Sequence, residues 1–340
     1  MKFLITGHTG FKGSWLTFLL SELGHEVHGI SLPPRPHSLY NLLALEKRMT
    51  SSHFADLGKG FELPSEIGKS EILIHLAAQP IVLESWRDPL NTFNTNVGGT
   101  LTALNLAHQS GAEEAIVITT DKVYSNLGKG HAFREADPLG GIDPYSASKA
   151  AADFLITQFG ELDISGPKIV VARGGNVIGG GDDAPNRLVP DIENAVDTHG
   201  ELIIRNPRHV RPWQHVLDCL SGYLHLAKNP AVGKGSSWNV GPDQLEADIS
   251  VGQFINTYQS HRGATLDARV IEGKVEEHGQ LRLDVSKIAS EIGFKNRFTQ
   301  EQAIEATASW YTAVSQGLSP EDVTRSQIDE FVNYLPVWLK

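Results

Sequence analysis

The segment Gly7-His8-Thr9-Gly10-Phe11-Lys12-Gly13 constrains the fold of this chain more than any other feature. It sits directly between an apolar run, Phe3-Leu4-Ile5, and a helical pattern through Trp15, Leu16, Leu19, Leu20 and Leu23 that Gly24 closes. Glycine permits the tight turn from strand to helix, and the GxxGxxG spacing lets backbone N–H groups approach a pyrophosphate at the helix N-terminus. The alternation then recurs. Strands are expected at 27–30, 71–76, 115–119 and 168–172, with helices at 89–111 and 144–160 between the later ones. These strands read as continuous apolar runs, as strands buried on both faces do. The fold class is therefore α/β, a doubly wound parallel sheet of Rossmann type.

Beyond Gly174 the texture changes to Gly179-Gly180-Gly181, several prolines and shorter periodic segments. At roughly 150 residues per domain, a chain of this length has room for about two lobes. We expect a dinucleotide-binding domain over 1–175, with 212–240 returning to it. A smaller mixed α/β lobe is expected from 176–211 and 241–340.

Lys+Arg 29 against Asp+Glu 40 leaves a net charge of −11, which argues against a general nucleic-acid binder but leaves room for an anionic small molecule held by local arginines. The single cysteine, Cys219, excludes an intramolecular disulfide framework and fits a reducing compartment. No apolar run reaches the roughly 18 residues of a membrane span, and no leader-like stretch precedes Gly7. The expectation is a cytoplasmic protein without membrane or nucleic-acid partners. The histidines lack ligand spacing, so no metal site is expected.

The second strand ends Gly29-Ile30-Ser31-Leu32-Pro33, without the acid that usually binds a ribose. Ser31 can bond a ribose hydroxyl and Arg35 can reach a 2′-phosphate, which leaves NAD and NADP both open. Asp56 and Leu57, after a third short strand, are placed to contact the adenine.

Tyr145-Ser146-Ala147-Ser148-Lys149 sets a phenol and an ammonium on one face of a helix opened by Asp143-Pro144. A nearby cation favours phenolate, so Tyr145 is expected to take a proton from a sugar hydroxyl as hydride leaves, while Lys149 also holds the nicotinamide ribose. Thr119, Thr120, Asp121 and Lys122 end the fifth strand. Ligands of doubly wound sheets lie beyond the carboxyl ends of the strands, so Thr120, Asp121 and Lys122 are expected to face the same crevice as Tyr145.

With these residues in view, the sequence resembles the extended short-chain dehydrogenase/reductase family, and within it the CDP-glucose 4,6-dehydratases. The matching segments are 6–16, 75–80, 95–100, 119–124, 137–141, 176–182 and 211–216, spread over nearly the whole chain. The triplet Thr120-Asp121-Lys122 is similar to that branch, where other dehydratases carry Thr-Asp-Glu. The resemblance implies hydride transfer from C4 of a nucleotide-linked hexose to NAD. Elimination of water across C5–C6 and return of the hydride to C6 would follow. Tyr145 would be the first base, Thr120 a hydrogen-bond partner of the C4 oxygen, Lys122 the group acting at C5 and Asp121 the acid for the C6 hydroxyl.

The resemblance also implies that Leu76, Ala77, Ala78 and Asn96 border the dinucleotide. Asn176 and Arg187 would meet the nucleotide diphosphate, aided by a local basic group of Arg205, Arg208 and Arg211, with Gln79, Gln214 and Arg282 as further contacts. It implies a homodimer paired through the helices at 89–110 and 144–160. The chain departs from the branch at Leu83, at Asp183 and at 127–130, all in substrate-facing loops by analogy. Three alternatives are a nucleotide-sugar epimerase, which has no use for the Asp121 and Lys122 pair, a dehydratase acting on another nucleotide-linked hexose, and a non-catalytic dinucleotide-sensing module.

Overall fold

The computed structural model describes all residues except 126–130, 163–165, 244 and 272–280, and for 159–162 the backbone alone. The sequence departure at 127–130 lies outside the described residues. The strands are β1 (Lys2–Thr6), β2 (Glu26–Ser31), β3 (Ser51–Phe54), β4 (Ile72–His75), β5 (Glu114–Thr120), β6 (Lys168–Gly174), β7 (Asn176–Ile178), β8 (Glu201–Ile204), β9 (Trp213–His215), β10 (Ser237–Val240) and β11 (Asp267–Val270). Seven of them form one parallel sheet in the order β10-β6-β5-β4-β1-β2-β3. The order reverses between β1 and β4, and the crevice beyond their carboxyl ends is where such sheets take ligands.

Side-chain alternation explains the continuous apolar runs. Phe3, Ile5, Ile74, Ile116 and Val170 point into one core layer, whereas Leu4, Leu73, Val117 and Val171 point into the other. The first layer is covered by α1 (Phe11–Glu22), which contributes Trp15, Phe18 and Leu19, and by Leu220 and Leu224 further along the chain. Each fully buried side chain of this size contributes roughly 1.5–3 kcal/mol.

On the opposite face run α3 (Val82–Arg87), α4 (Pro89–Phe93), α5 (Gly99–Gln109) and α6 (Pro144–Leu162), after the short α2 (Leu39–Leu42). The helix expected over 89–111 is broken by a π-helical turn, Asn94–Gly98. There Asn96 Oδ1 accepts from Gln79 N (2.8 Å) while its amide donates to Gln79 O (3.1 Å), a side-chain bridge that hydrophobic periodicity does not reveal. Asp143 caps α6, accepting from Ser146 N at 2.8 Å and Ser146 Oγ at 2.6 Å.

The remaining helices are α7 (Leu188–Thr198), α8 (Val216–Leu226), α9 (Val251–Arg262), α10 (Ser286–Ile292), α11 (Gln300–Ser315) and α12 (Pro320–Phe331). A third apolar cluster joins Ile192, Trp213, Phe254, Tyr258 and Ile304 beside the small β7·β9 and β8·β11 sheets. Trp310, Ile328 and Phe331 from the C-terminal helices instead enter the main core.

Candidate active site

Gly7 has φ +76°, and a Cβ there would lie 2.6 Å from Ala77 N, so the loops after β1 and β4 meet at backbone contact. A Cβ at Gly13 would lie 2.1 Å from Gly7 O, fixing glycine for strand–helix packing. Gly10 differs: its Cβ would meet only Gly7 O, at 3.4 Å, and the protein itself does not demand glycine there. Gly10 also stands at the N-terminus of α1, where no side chain caps the first turn. Bare backbone, unclaimed donors and the positive end of the helix suit a pyrophosphate.

This loop opens into a cleft of about 670 Å³, within the range of small-molecule sites. Gly7, Thr9, Gly10, Phe11, Lys12 and Gly13 line it, as do Ser31, Asp56 and Leu57 at the far end of β2 and β3. Ser31 Oγ is 2.7 Å from Thr9 Oγ1, and Asp56 Oδ1 accepts from Gly58 N at 3.0 Å. Leu76, Ala77, Ala78 and Thr119 complete this side.

Thr120, Asp121, Lys122, Tyr145 and Lys149 converge on the same cleft. Thr120 Oγ1 donates to Asp121 Oδ1 at 2.9 Å, and the Tyr145 phenol shares a hydrogen bond with Thr120. Asp121 Oδ2 is buried and has no hydrogen-bond partner among the described residues. Burial raises the Asp121 carboxyl despite Lys122, which shifts it toward its protonated form.

The Tyr145–Lys149 expectation needs correction. Lys149 Nζ donates to Ile118 O at 2.8 Å, and it is burial that dominates both groups, pushing Tyr145 up to about 12 and Lys149 down to about 7. Burial shifts both groups toward their neutral forms, and the Lys12 ammonium lowers Lys149 further. Sequence spacing shows a shared helix face but not its burial. It also missed Tyr223, whose hydroxyl accepts from Lys12 Nζ at 3.2 Å; on α8 it reads as one more core residue.

Asn176, Arg187, Arg205 and Arg211 line the other wall. Arg187 Nη1 reaches Asp182 Oδ2 at 3.1 Å, which anchors the guanidinium over the cleft. Arg208 is exposed and does not line the cleft, and four further expected contacts stand elsewhere. Asn96 and Gln79 lie behind the wall, bonded to each other, with Asn96 Nδ2 also donating to Ser148 Oγ at 2.9 Å and Gln79 Nε2 to Thr92 Oγ1 at 2.8 Å. Gln214 Nε2 donates to Asn296 Oδ1 at 2.8 Å among buried residues, and the Arg282 guanidinium pairs with Asp248. None of these four lines the cleft, because each side chain is committed to a partner away from it.

Comparison with known proteins places this geometry. The profile of the NAD dependent epimerase/dehydratase family matches residues 3–241. The chain belongs to this family. It is 35% identical to a CDP-glucose 4,6-dehydratase of Salmonella typhimurium over 98% of this chain and 96% of that one. A probable dTDP-glucose 4,6-dehydratase of Sinorhizobium fredii is 26% identical over 92% and 93%. Among solved structures, a dTDP-glucose 4,6-dehydratase double mutant from Streptomyces venezuelae with NAD bound superimposes with a TM-score of 0.81. It is 22% identical, over 94% of this chain and 100% of that one. A UDP-glucuronic acid 4-epimerase of Bacillus cereus gives 0.80 at 21% identity, over 92% and 100%. As a member of this family the chain shares the fold of these structures.

Proposed function

We propose that the protein is an NAD-dependent nucleotide-sugar 4,6-dehydratase acting on CDP-glucose, releasing water and CDP-4-keto-6-deoxyglucose. One observation carries the dehydration step: Asp121 holds at the cleft a buried carboxyl oxygen without a hydrogen-bond partner among the described residues, in an environment that shifts it toward the protonated acid. A C4 epimerase needs no such proton donor. The 35% identity to the Salmonella enzyme over 98% of the chain supports the substrate.

The bare glycine loop, the uncapped start of α1 and the hydroxyls of Thr9 and Ser31 fit NAD, with Asp56, Leu57, Tyr145 and Lys149 completing its site. When bound, NAD accepts hydride from C4 and returns it to C6. Tyr145 removes the C4 hydroxyl proton, and Thr120 hydrogen-bonds the C4 oxygen. Lys149, with a pKa of about 7, gains its charge near neutral pH, which draws the phenol toward ionisation. The 4-keto group acidifies C5, Lys122 helps remove that proton, Asp121 protonates the C6 hydroxyl so that it departs as water, and C5 is reprotonated once C6 has been reduced. Arg187, Arg205 and Arg211, with Asn176, neutralise and orient the diphosphate.

In this reading 1–175 with 212–240 hold the dinucleotide, and 176–211 with 241–340 hold the sugar nucleotide. Copies of the chain pair through α4, α5 and α6, supported by exposed Leu90 (72%) and Phe154 (60%) on neighbouring helices. A light-scattering mass of one chain would overturn the dimer. A cytoplasmic setting fits the buried free thiol of Cys219, and among the described residues no helix is long and apolar enough to cross a membrane.

The test is mass spectrometry of CDP-, dTDP-, UDP- and GDP-hexoses after incubation with the protein and catalytic NAD. Loss of one water from CDP-glucose is expected. A new isomer without mass change would replace the reading with an epimerase.

A further inference from the structure

Ser31 closes β2 where an acid ordinarily receives the ribose hydroxyls, and Arg35 follows on the same rim, lining the cleft. An arginine there is suited to a ribose 2′-phosphate. Its guanidinium is already engaged: Arg35 Nη2 donates to Asp183 Oδ1 at 2.7 Å. Asp183 lies on the segment between β7 and α7, between the cleft-lining Asp182 and Ala184.

That segment is firmly held. Trp15 Nε1 donates to Gly180 O at 2.9 Å, Tyr311 OH donates to Asp182 O at 3.2 Å, and Ala184 N donates to Asp182 Oδ1 at 3.1 Å. A Cβ at Gly180 would enter the Trp310 ring at 2.1 Å, so the backbone beside Asp183 lies flat on that indole. Asp183 is carried by a braced rim.

We propose that Asp183 is a specificity-determining residue that selects a dinucleotide with a free ribose 2′-hydroxyl by neutralising Arg35 and setting a carboxylate in the approach to that position. The inference rests on the dinucleotide site proposed above. A 2′-phosphate must take Arg35 from Asp183 and then face an unpaired carboxylate, whereas a 2′-hydroxyl makes neither demand. Discrimination through a repulsive group is a common source of specificity. The pair itself is half exposed at Arg35 (50%), so it adds little to folding stability and its effect falls on ligand choice.

The test is calorimetric titration of the purified protein with NAD⁺ and, separately, NADP⁺. The variants are Asp183→Asn, Asp183→Ser and the double variant Asp183→Asn/Arg35→Ala, with circular dichroism reporting the fold. The original protein is expected to prefer NAD⁺. Either single variant is expected to bind NADP⁺ about tenfold more tightly while NAD⁺ affinity stays nearly constant, and the double variant is expected to lose the gain. An unchanged NADP⁺/NAD⁺ ratio in a folded single variant overturns the proposal, as does equal weakening of both ligands. Should the original protein bind NAD⁺ but not discriminate, the selectivity claim alone falls. Should it bind neither, the dinucleotide reading falls with it.

Discussion

Thr120 and Asp121 are bonded to each other where β5 ends, Thr120 Oγ1 donating to Asp121 Oδ1 at 2.9 Å, and this leaves Asp121 Oδ2 buried and without a hydrogen-bond partner among the described residues. The adjacent Lys122 ammonium opposes the burial that raises the carboxyl, but burial prevails. Burial thus shifts Asp121 toward its protonated form even beside the Lys122 charge.

Asp121→Asn keeps the size and the Thr120 bond but removes the acid. Turnover to the 4-keto-6-deoxy product is expected to fall by about 10²–10⁴-fold, the usual contribution of a positioned acid. Oxidation at C4 does not use Asp121, so reduced nicotinamide should still form and then persist, visible by its absorbance in single-turnover experiments. Absence of any reduced nicotinamide would shift Asp121 to the first step.

Lys149 predicts a pH-dependent stability in the dinucleotide-free protein. Its folded-state value of about 7 lies below the ordinary 10.5, so between these limits the unfolded chain binds more protons and stability rises with pH. Below about pH 7 the full cost of charging a buried amine is present. Lys149→Met should therefore raise Tm at pH 6, with the difference from the original protein shrinking toward pH 10, while abolishing turnover. A Tm difference independent of pH would show that packing, not ionisation, sets the effect.

The fold was legible because both-face burial writes itself into sequence: Phe3-Leu4-Ile5 divides between two cores, and nothing but a buried parallel strand needs apolar side chains on each side. Gly7 and Gly13 were equally legible, since backbone geometry demands them. What stayed hidden depends on long-range pairing. Arg282 reads as a cation free for phosphate until Asp248 stands beside it, and Gln214 reads as polar until Asn296 receives its amide. The π-turn that places Asn96 leaves no hydrophobic trace, and the pKa of Lys149 depends on burial that no spacing encodes.

Behind the cleft, Arg173 on β6 meets Asp153 on α6 through Nη2–Oδ1 at 2.6 Å, and both are almost wholly buried at 3% and 0% exposure. Asp153 also accepts from Thr119 Oγ1 at 2.8 Å, which couples the helix bearing Tyr145 and Lys149 to the strand that leads into Asp121. Arg173→Met leaves the carboxylate buried without its charge partner and is expected to cost about 3–5 kcal/mol in denaturant unfolding. The double variant Arg173→Met/Asp153→Leu, which removes both charges, should recover a large part of that loss. Equal losses in single and double variants would mean that the packing of Arg173 over the Tyr124 ring, 5.0 Å away, matters more than the pair.

The glycine loop separates requirements of the fold from requirements of the ligand. At Gly13 an added methyl would stand 2.1 Å from Gly7 O, and backbone cannot yield that far, so Gly13→Ala should lower Tm and eliminate NAD⁺ binding together. At Gly10 the corresponding contact is 3.4 Å, which a few tenths of an ångström would relieve. Gly10→Ala should therefore leave Tm within a few degrees of the original while weakening NAD⁺ by at least tenfold. Its methyl would stand at the start of α1, where a pyrophosphate must approach the backbone. Calorimetry with NAD⁺ and thermal unfolding of the two variants check this divergence. If Gly10→Ala bound NAD⁺ normally, the pyrophosphate would have to lie away from the helix N-terminus, and the assignment of this loop as its cradle would fail.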